Sequence, residues 1–95
     1  MSGHVIISHG LESGPEASKA SALAAVAEAL GWSHERPDYR DLDARGPLGD
    51  VEGRIHRLAA RAEAAPRKPL VLAGSSMGAY VSAHVSREVP VSFAG

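Results

Sequence analysis

The stretch KPLVLAGSSMGAY, Lys68 to Tyr80, constrains this chain more than any other. An apolar run, Leu70 to Ala73, reads as a strand buried on both faces, and it passes directly through Gly-Ser-Ser-Met-Gly into an apolar helix. A serine wedged between a strand end and a helix start takes a strained backbone conformation, which projects its hydroxyl clear of the sheet. Such a turn presses the residues two before and two after against neighbouring backbone. Gly74 and Gly78 meet that need, so the frame selects Ser76 rather than Ser75 as a candidate nucleophile. The same residues also admit a plainer reading, a Gly-rich turn whose serine caps the following helix.

Around this turn the chain alternates strands and helices. Val5-Ile6-Ile7 predicts a short buried strand closed by His9-Gly10, and LESGPEAS is a loop. A helix is expected from about Ser18 to Leu30, with an apolar stripe of Ala20, Leu23, Ala24, Ala27 and Leu30 and a stop at Gly31. WSHERPDY is a weaker strand candidate, since Pro37 suggests an edge. RDLDARGPLGD reads as a loop. A second helix spans about Leu48 to Ala65. Val51, Ile55, Leu58, Ala59 and Ala62 share its inner face; Glu52, Arg54, Arg57, Arg61 and Glu63 occupy the others. Asp50 and Arg54 stand one turn apart in the order that favours an ion pair. The third helix, about Met77 to Glu88, is apolar almost all round, with Ala79, Tyr80, Val81, Ala83 and Val85. Pro90 would end it and Val91 to Ala94 would begin a fourth strand. This pattern predicts an α/β fold: one domain over residues 1–95, with about four parallel strands in the order 2-1-3-4 and three helices. Strands one and three are then neighbours, and their following loops, His9 to Pro15 and Ser75 to Gly78, open side by side where ligands bind in open α/β sheets.

Composition excludes several classes. The net charge is −1 and no Lys/Arg block exists, so neither nucleic acid nor an anionic membrane is an expected partner. Without cysteine there can be no disulfide, thiolate zinc site or cysteine nucleophile. The apolar core of MSGHVIISHG is too short for a signal peptide or a membrane span, and a cytoplasmic location is expected. Asp38, Asp41 and Asp43 lack the glycine and glutamate of a calcium loop and read as a solvated turn, so no metal is expected. HGLESGP has neither a P-loop lysine-serine pair nor a GxGxxG, and no cofactor is expected.

Acyl transfer at Ser76 would need two donors for the oxyanion of its tetrahedral intermediate. The Met77 N–H, at a positive helix end, is the natural first, and the Leu11 N–H, approached closely because of Gly10, could be the second. HGLESGPEASKASALAAVAEALGW together with VLAGSSMGAYVSAHVS resembles the N-terminal half of small bacterial α/β-hydrolase-fold serine esterases. Such proteins carry an HG-x-x-S-x-P segment, a Ser-Lys pair opening the first helix, and a G-S-S-[LM]-G elbow. The resemblance implies Ser76 as nucleophile, Leu11 and Met77 as the oxyanion hole, and His9, Gly10, Gly74 and Gly78 as supports, acting on a small ester or thioester. It also implies that the acid and histidine of the triad follow later strands, beyond Gly95. Within the chain, His84 is too far along its helix from Ser76 to serve as base; by the resemblance His9 supports its loop, with a surrogate base as its lesser alternative. His4, His34 and His56 read as surface or partly buried residues. Glu12 sits on the lip of the crevice, where it reads first as a plain loop residue and second as one that could touch a substrate or repel an anionic one. Two functions are therefore expected in order: the nucleophile half of a serine hydrolase, or a non-catalytic binding module that self-associates through its last strand or pairs with a complementing half.

Overall fold

In the computed structural model, residues 2–88 are described in full and residues 92–94 as a backbone strand. Four parallel strands, β1 (His4–Ser8), β2 (Ser33–Glu35), β3 (Leu70–Gly74) and β4 (Ser92–Ala94), form one sheet in the order β2-β1-β3-β4. This is the expected order, and the Pro37-flanked strand takes its edge. The register sets His4 against Leu70 and Ser8 against Gly74. Because β1 and β3 end at one level, the two loops that follow them leave the sheet together. The expected stop at Pro90 and strand start at Val91 lie outside the described residues.

The helices are α1 (Ser18–Ala29), α2 (Arg40–Asp43), α3 (Val51–Glu63) and α4 (Met77–Val85), four rather than the three expected. The additional one, α2, is a single turn in the segment that reads as a loop. At its start the Asp38 side chain accepts from the Arg40 N–H at 2.9 Å. The start of α3 falls at Val51 instead of Leu48, because the Asp50 side chain caps it by accepting from the Gly53 N–H at 2.8 Å. α4 ends three residues early. Arg87 and Glu88 donate to the carbonyls of His84 and Val85, so the last turn tightens to an i→i+3 pattern.

Packing divides the core between the two faces of the sheet. Ile6, Leu70 and Leu72 meet Leu58 and Ala62 of α3 and Val81 and Val85 of α4. On the other face the described residues Ile7 and Ala73 cluster with Ala20 and Ala24 of α1, and Val5 packs against them. The α1 stripe is thus narrower than its spacing predicts. Ala20, Ala24 and Ala27 are buried, whereas Leu23 and Leu30 are exposed and line an open apolar trough with Val5, Trp32 and Val71. Tyr80, expected inside, is 62% exposed, while Gly78 and Ser82 take inward places on α4.

The polar expectations also shift. Arg54 does not pair with Asp50; it turns into the protein, on the face it shares with Leu58 and Ala62, and binds Asp43 at 2.6 Å. Asp50 takes Arg45 instead. Asp38 and Asp41 are exposed, as a solvated turn requires, and there hold Arg40 and Arg57. His4 is buried, with Ser33 Oγ and Glu35 Oε2 each 2.7 Å from its ring nitrogens. Burial alone would raise the Glu35 carboxyl, but hydrogen bonds from Arg61 and His4 outweigh it and its pKa falls below the usual value.

The paired aspartates give an acid-sensitivity prediction. Hydrogen bonds from Arg40 lower Asp38 from 3.8 to about 2, and a hydrogen bond from Arg57 does the same to Asp41. A carboxylate more acidic in the folded state stabilises above its unfolded pKa and loses that contribution as pH falls through the folded one. Stability measured by circular dichroism should therefore drop between about pH 4 and about pH 2. Asp38→Asn/Asp41→Asn should flatten that drop, and so should high salt, since both pairs are exposed. An identical pH profile for the double variant would refute the assignment.

Candidate functional site

Ser76 occupies φ +56°, ψ −122°, a conformation costing a non-glycine residue about 1–3 kcal/mol. It immediately precedes α4, is exposed, and its hydroxyl makes no capping bond to the helix. The capping role that the sequence left open is therefore not taken. The turn is as tight as the two glycines suggest. A Cβ on Gly78 would overlap the Ser8 carbonyl, and one on Gly74 would fall against the Gly78 carbonyl. α4 thus starts in contact with the end of β1.

The loop after β1 meets this turn. A Cβ on Gly10 would stand 3.3 Å from both the Ser75 oxygen and Ser76 Cβ, so the Gly10 backbone lies against the serine. His9 is fully buried, and its ring is used on both sides. Nδ1 lies 2.8 Å from the Gly10 oxygen, while Nε2 accepts from the Tyr39 N–H at 2.9 Å. These partners assign a neutral ring protonated on Nδ1 and leave no nitrogen for Ser76. Among the described residues, the recorded partners of the other imidazoles also lie away from the serine: His34 beside Glu28, His84 beside Glu88, and His4 in its strand pair. No three of His, Asp and Glu gather to hold a metal ion among the described residues.

Arg54 fixes this loop, and sequence reasoning missed it. Its guanidinium is 1% exposed and donates to the His9 oxygen at 2.7 Å and to the Gly10 oxygen at 3.3 Å. It also donates to both Asp43 oxygens, at 2.7 and 2.6 Å, and lies 4.5 Å from the centre of the Tyr39 ring. The Tyr39 hydroxyl in turn is 2.8 Å from Ser8 Oγ. Burial, only partly offset by the Ser8 bond, raises the Tyr39 pKa above its ordinary value. The signal was in the spacing, since residues 54, 58 and 62 fall on one helical face and two of them are apolar.

Peptide geometry turns this anchoring into a donor. In a planar trans peptide the C=O and the next N–H point in opposite directions. The Gly10 carbonyl points to Arg54, so the Leu11 N–H points away from it. Among the described residues neither the Leu11 nor the Met77 N–H donates to a protein acceptor. The Met77 N–H belongs to the first turn of α4, where helix amides lack internal partners. Two open hollows flank the site. One, of about 510 Å³, includes Ser76, Ser75, Ala79, Ala22, Leu23 and Lys19 in its lining. The other, of about 450 Å³, lies against Leu11, Glu12, Ser13, Arg40 and Asp43. Glu12 borders the second hollow at φ +59° and is exposed.

The fold has a solved counterpart. The crystal structure of a candidate hydrolase of the alpha/beta superfamily from Xanthomonas campestris pv. campestris superposes with a TM-score of 0.90 at 60% identity. The match covers 94% of this chain and 54% of that one, so this chain spans about half the length of its counterpart. No family model and no curated protein matches the chain. Its architecture is that of the N-terminal half of an α/β-hydrolase fold.

The role of Arg54 is open to measurement. Arg54→Met would strand Asp43 and the inward His9 carbonyl without a donor, and breaking a buried pair in this way costs about 3–5 kcal/mol. Urea denaturation should show a loss of that order. A loss below about 1 kcal/mol, the scale of an exposed ion pair, would place the guanidinium outside the core.

Proposed function

We propose that Ser76 is the nucleophile of a serine hydrolase that cleaves a carboxylic ester or thioester through an acyl-enzyme, this chain carrying the nucleophile half. The observation that supports it best is the conformation of Ser76: exposed, strained, uncapped, and seated at the positive end of α4. Its hydroxyl oxygen would attack the carbonyl carbon, and the resulting oxyanion would be received by the N–H groups of Leu11 and Met77. Collapse of that intermediate expels the alcohol or thiol and leaves the acyl group on Ser76, and water then releases the acid. Losing one such donor typically costs about 3–4 kcal/mol, which is why the rigidity of the Gly10–Leu11 peptide matters. His9, Gly10, Gly74 and Gly78 act as supports.

A serine hydroxyl is a weak nucleophile near neutral pH without an adjacent base. In this reading the base and its acid partner come from the remainder of an α/β-hydrolase fold, by continuation past Gly95 or from a complementing half. On its own the half-site would retain about 10³–10⁴-fold acceleration over water. No described helix is long and apolar enough to cross a membrane, which is compatible with a cytoplasmic setting for the same reaction.

Three experiments test this. With the second half supplied, a fluorophosphonate probe should modify Ser76, located by mass spectrometry, and Ser76→Ala should abolish labelling. Undiminished labelling of Ser76→Ala would sink the proposal. Concentration-dependent self-association without turnover of p-nitrophenyl acetate would favour a non-catalytic binding module instead. In the chain alone, Ser76→Cys should place a thiol in the field of the α4 N-terminus. The pH dependence of its alkylation by iodoacetamide should give a pKa below the ordinary value of about 8.5. A thiol at or above that value would deny the site its electrostatic bias toward anions.

A further inference from the structure

Lys19 takes no part in the chemistry proposed for Ser76. It stands in the first turn of α1, on the wall of the hollow that contains Ser76. A cation in the first turn of a helix opposes the helix dipole, so helix stability does not account for it. Most other basic side chains have a structural partner. Arg40, Arg45, Arg54, Arg57 and Arg61 each hold a carboxylate, and Arg36 donates to the Pro15 oxygen and Ser21 Oγ. Among the described residues Lys19 has no ion pair, although Glu12 and Glu16 precede it closely in sequence. Arg67 and Lys68 lead into β3 at the opposite end of the sheet, and Arg87 follows α4. Lys19 is thus the one uncommitted cation that lines the hollow of Ser76.

We infer that Lys19 is a specificity-determining residue that receives a free carboxylate on the substrate, so that the preferred ester or thioester is that of a short dicarboxylic acid. This rests on Ser76 being the reacting residue. Small and apolar side chains, Ala22, Ala79 and Leu23, lie beside Lys19 in the same hollow and suit a short methylene chain. The volume of about 510 Å³ falls in the range of small-molecule sites. A single ammonium is a point charge that matches one carboxylate; phosphate recognition favours the bidentate fork of an arginine, and the arginine beside the site, Arg40, is taken by Asp38. The flexible lysine stem allows the charge to follow its ligand while the ammonium stays hydrated.

Binding tests this independently of turnover. Glutarate, and its neutral isostere glutaramide, would be titrated into the ¹⁵N-labelled chain. Glutarate should shift the amides of Lys19, Ala22, Ser75 and Ala79 and bind about three- to five-fold more tightly than glutaramide, the scale of a solvent-exposed ion pair. That preference should vanish in Lys19→Gln, survive in Lys19→Arg, and shrink at high salt. Equal affinities, a preference that persists in Lys19→Gln, shifts confined to the Arg40 hollow, or no shifts at all would each overturn the inference. Ser76→Ala should keep the preference. Failure of probe labelling at Ser76 would therefore count against the hydrolase and not against the carboxylate site.

Discussion

The Arg54 guanidinium lies where three segments meet: the end of β1, the α2 turn and α3. Withdrawing a cation from water costs several kcal/mol, and the cost is offset only when nearly every donor finds an acceptor. Here the acceptors are the two Asp43 oxygens and the carbonyls of His9 and Gly10, with the Tyr39 ring against the guanidinium. Those carbonyls have just left the β1 ladder; without the guanidinium the His9 oxygen would be buried unpaired and the Gly10 oxygen would keep only the His9 ring nitrogen. Satisfying them from one side fixes which way each peptide plane faces. The orientation of the Leu11 amide, on the rim of the site, thus follows from an ion pair beneath it.

The Ser76 turn depends on the same scaffold from the other direction. Its backbone strain persists only if its surroundings hold it in place. They do so through contact of Gly78 with the end of β1 and through the packing of Val81 and Val85 against Ile6 and Leu72. The unfavourable conformation and the favourable core belong to one helix. Displacing α4 enough to relax the serine would open the central packing of the sheet.

Much of this was legible in the residues, because periodicity and turn chemistry are local. The strand order, the edge position of the Pro37-flanked strand and the meeting of the two loops follow from alternation, crossovers and glycine placement. What stayed hidden depended on long-range partners. Arg54 looks like a surface cation until Asp43 and the His9 carbonyl are brought beside it, and Asp50 looks like its partner until the Gly53 amide claims it. Leu23 and Leu30 look like core residues because helical spacing reports a stripe, not how much of that stripe the sheet can reach. Tyr80 was misplaced for the converse reason. Glycine and serine, which carry little hydropathy signal, occupy the inward positions of α4.

The pairing of β1 with β3 also sets when the site can exist. His4 pairs with Leu70, so the central ladder joins stretches separated by most of the described chain. Closing so large a loop consumes entropy before any contact repays it, which makes such parallel pairings slow steps in folding. The Gly10–Ser76 contact lies at the far end of that ladder, so it forms only once the two loops are carried together by the strands. The Ser76 turn and the Gly10–Leu11 peptide beside it are therefore brought together late in folding, are apart in partly collapsed states, and would separate in a partial opening that frees β1 while leaving the helices intact.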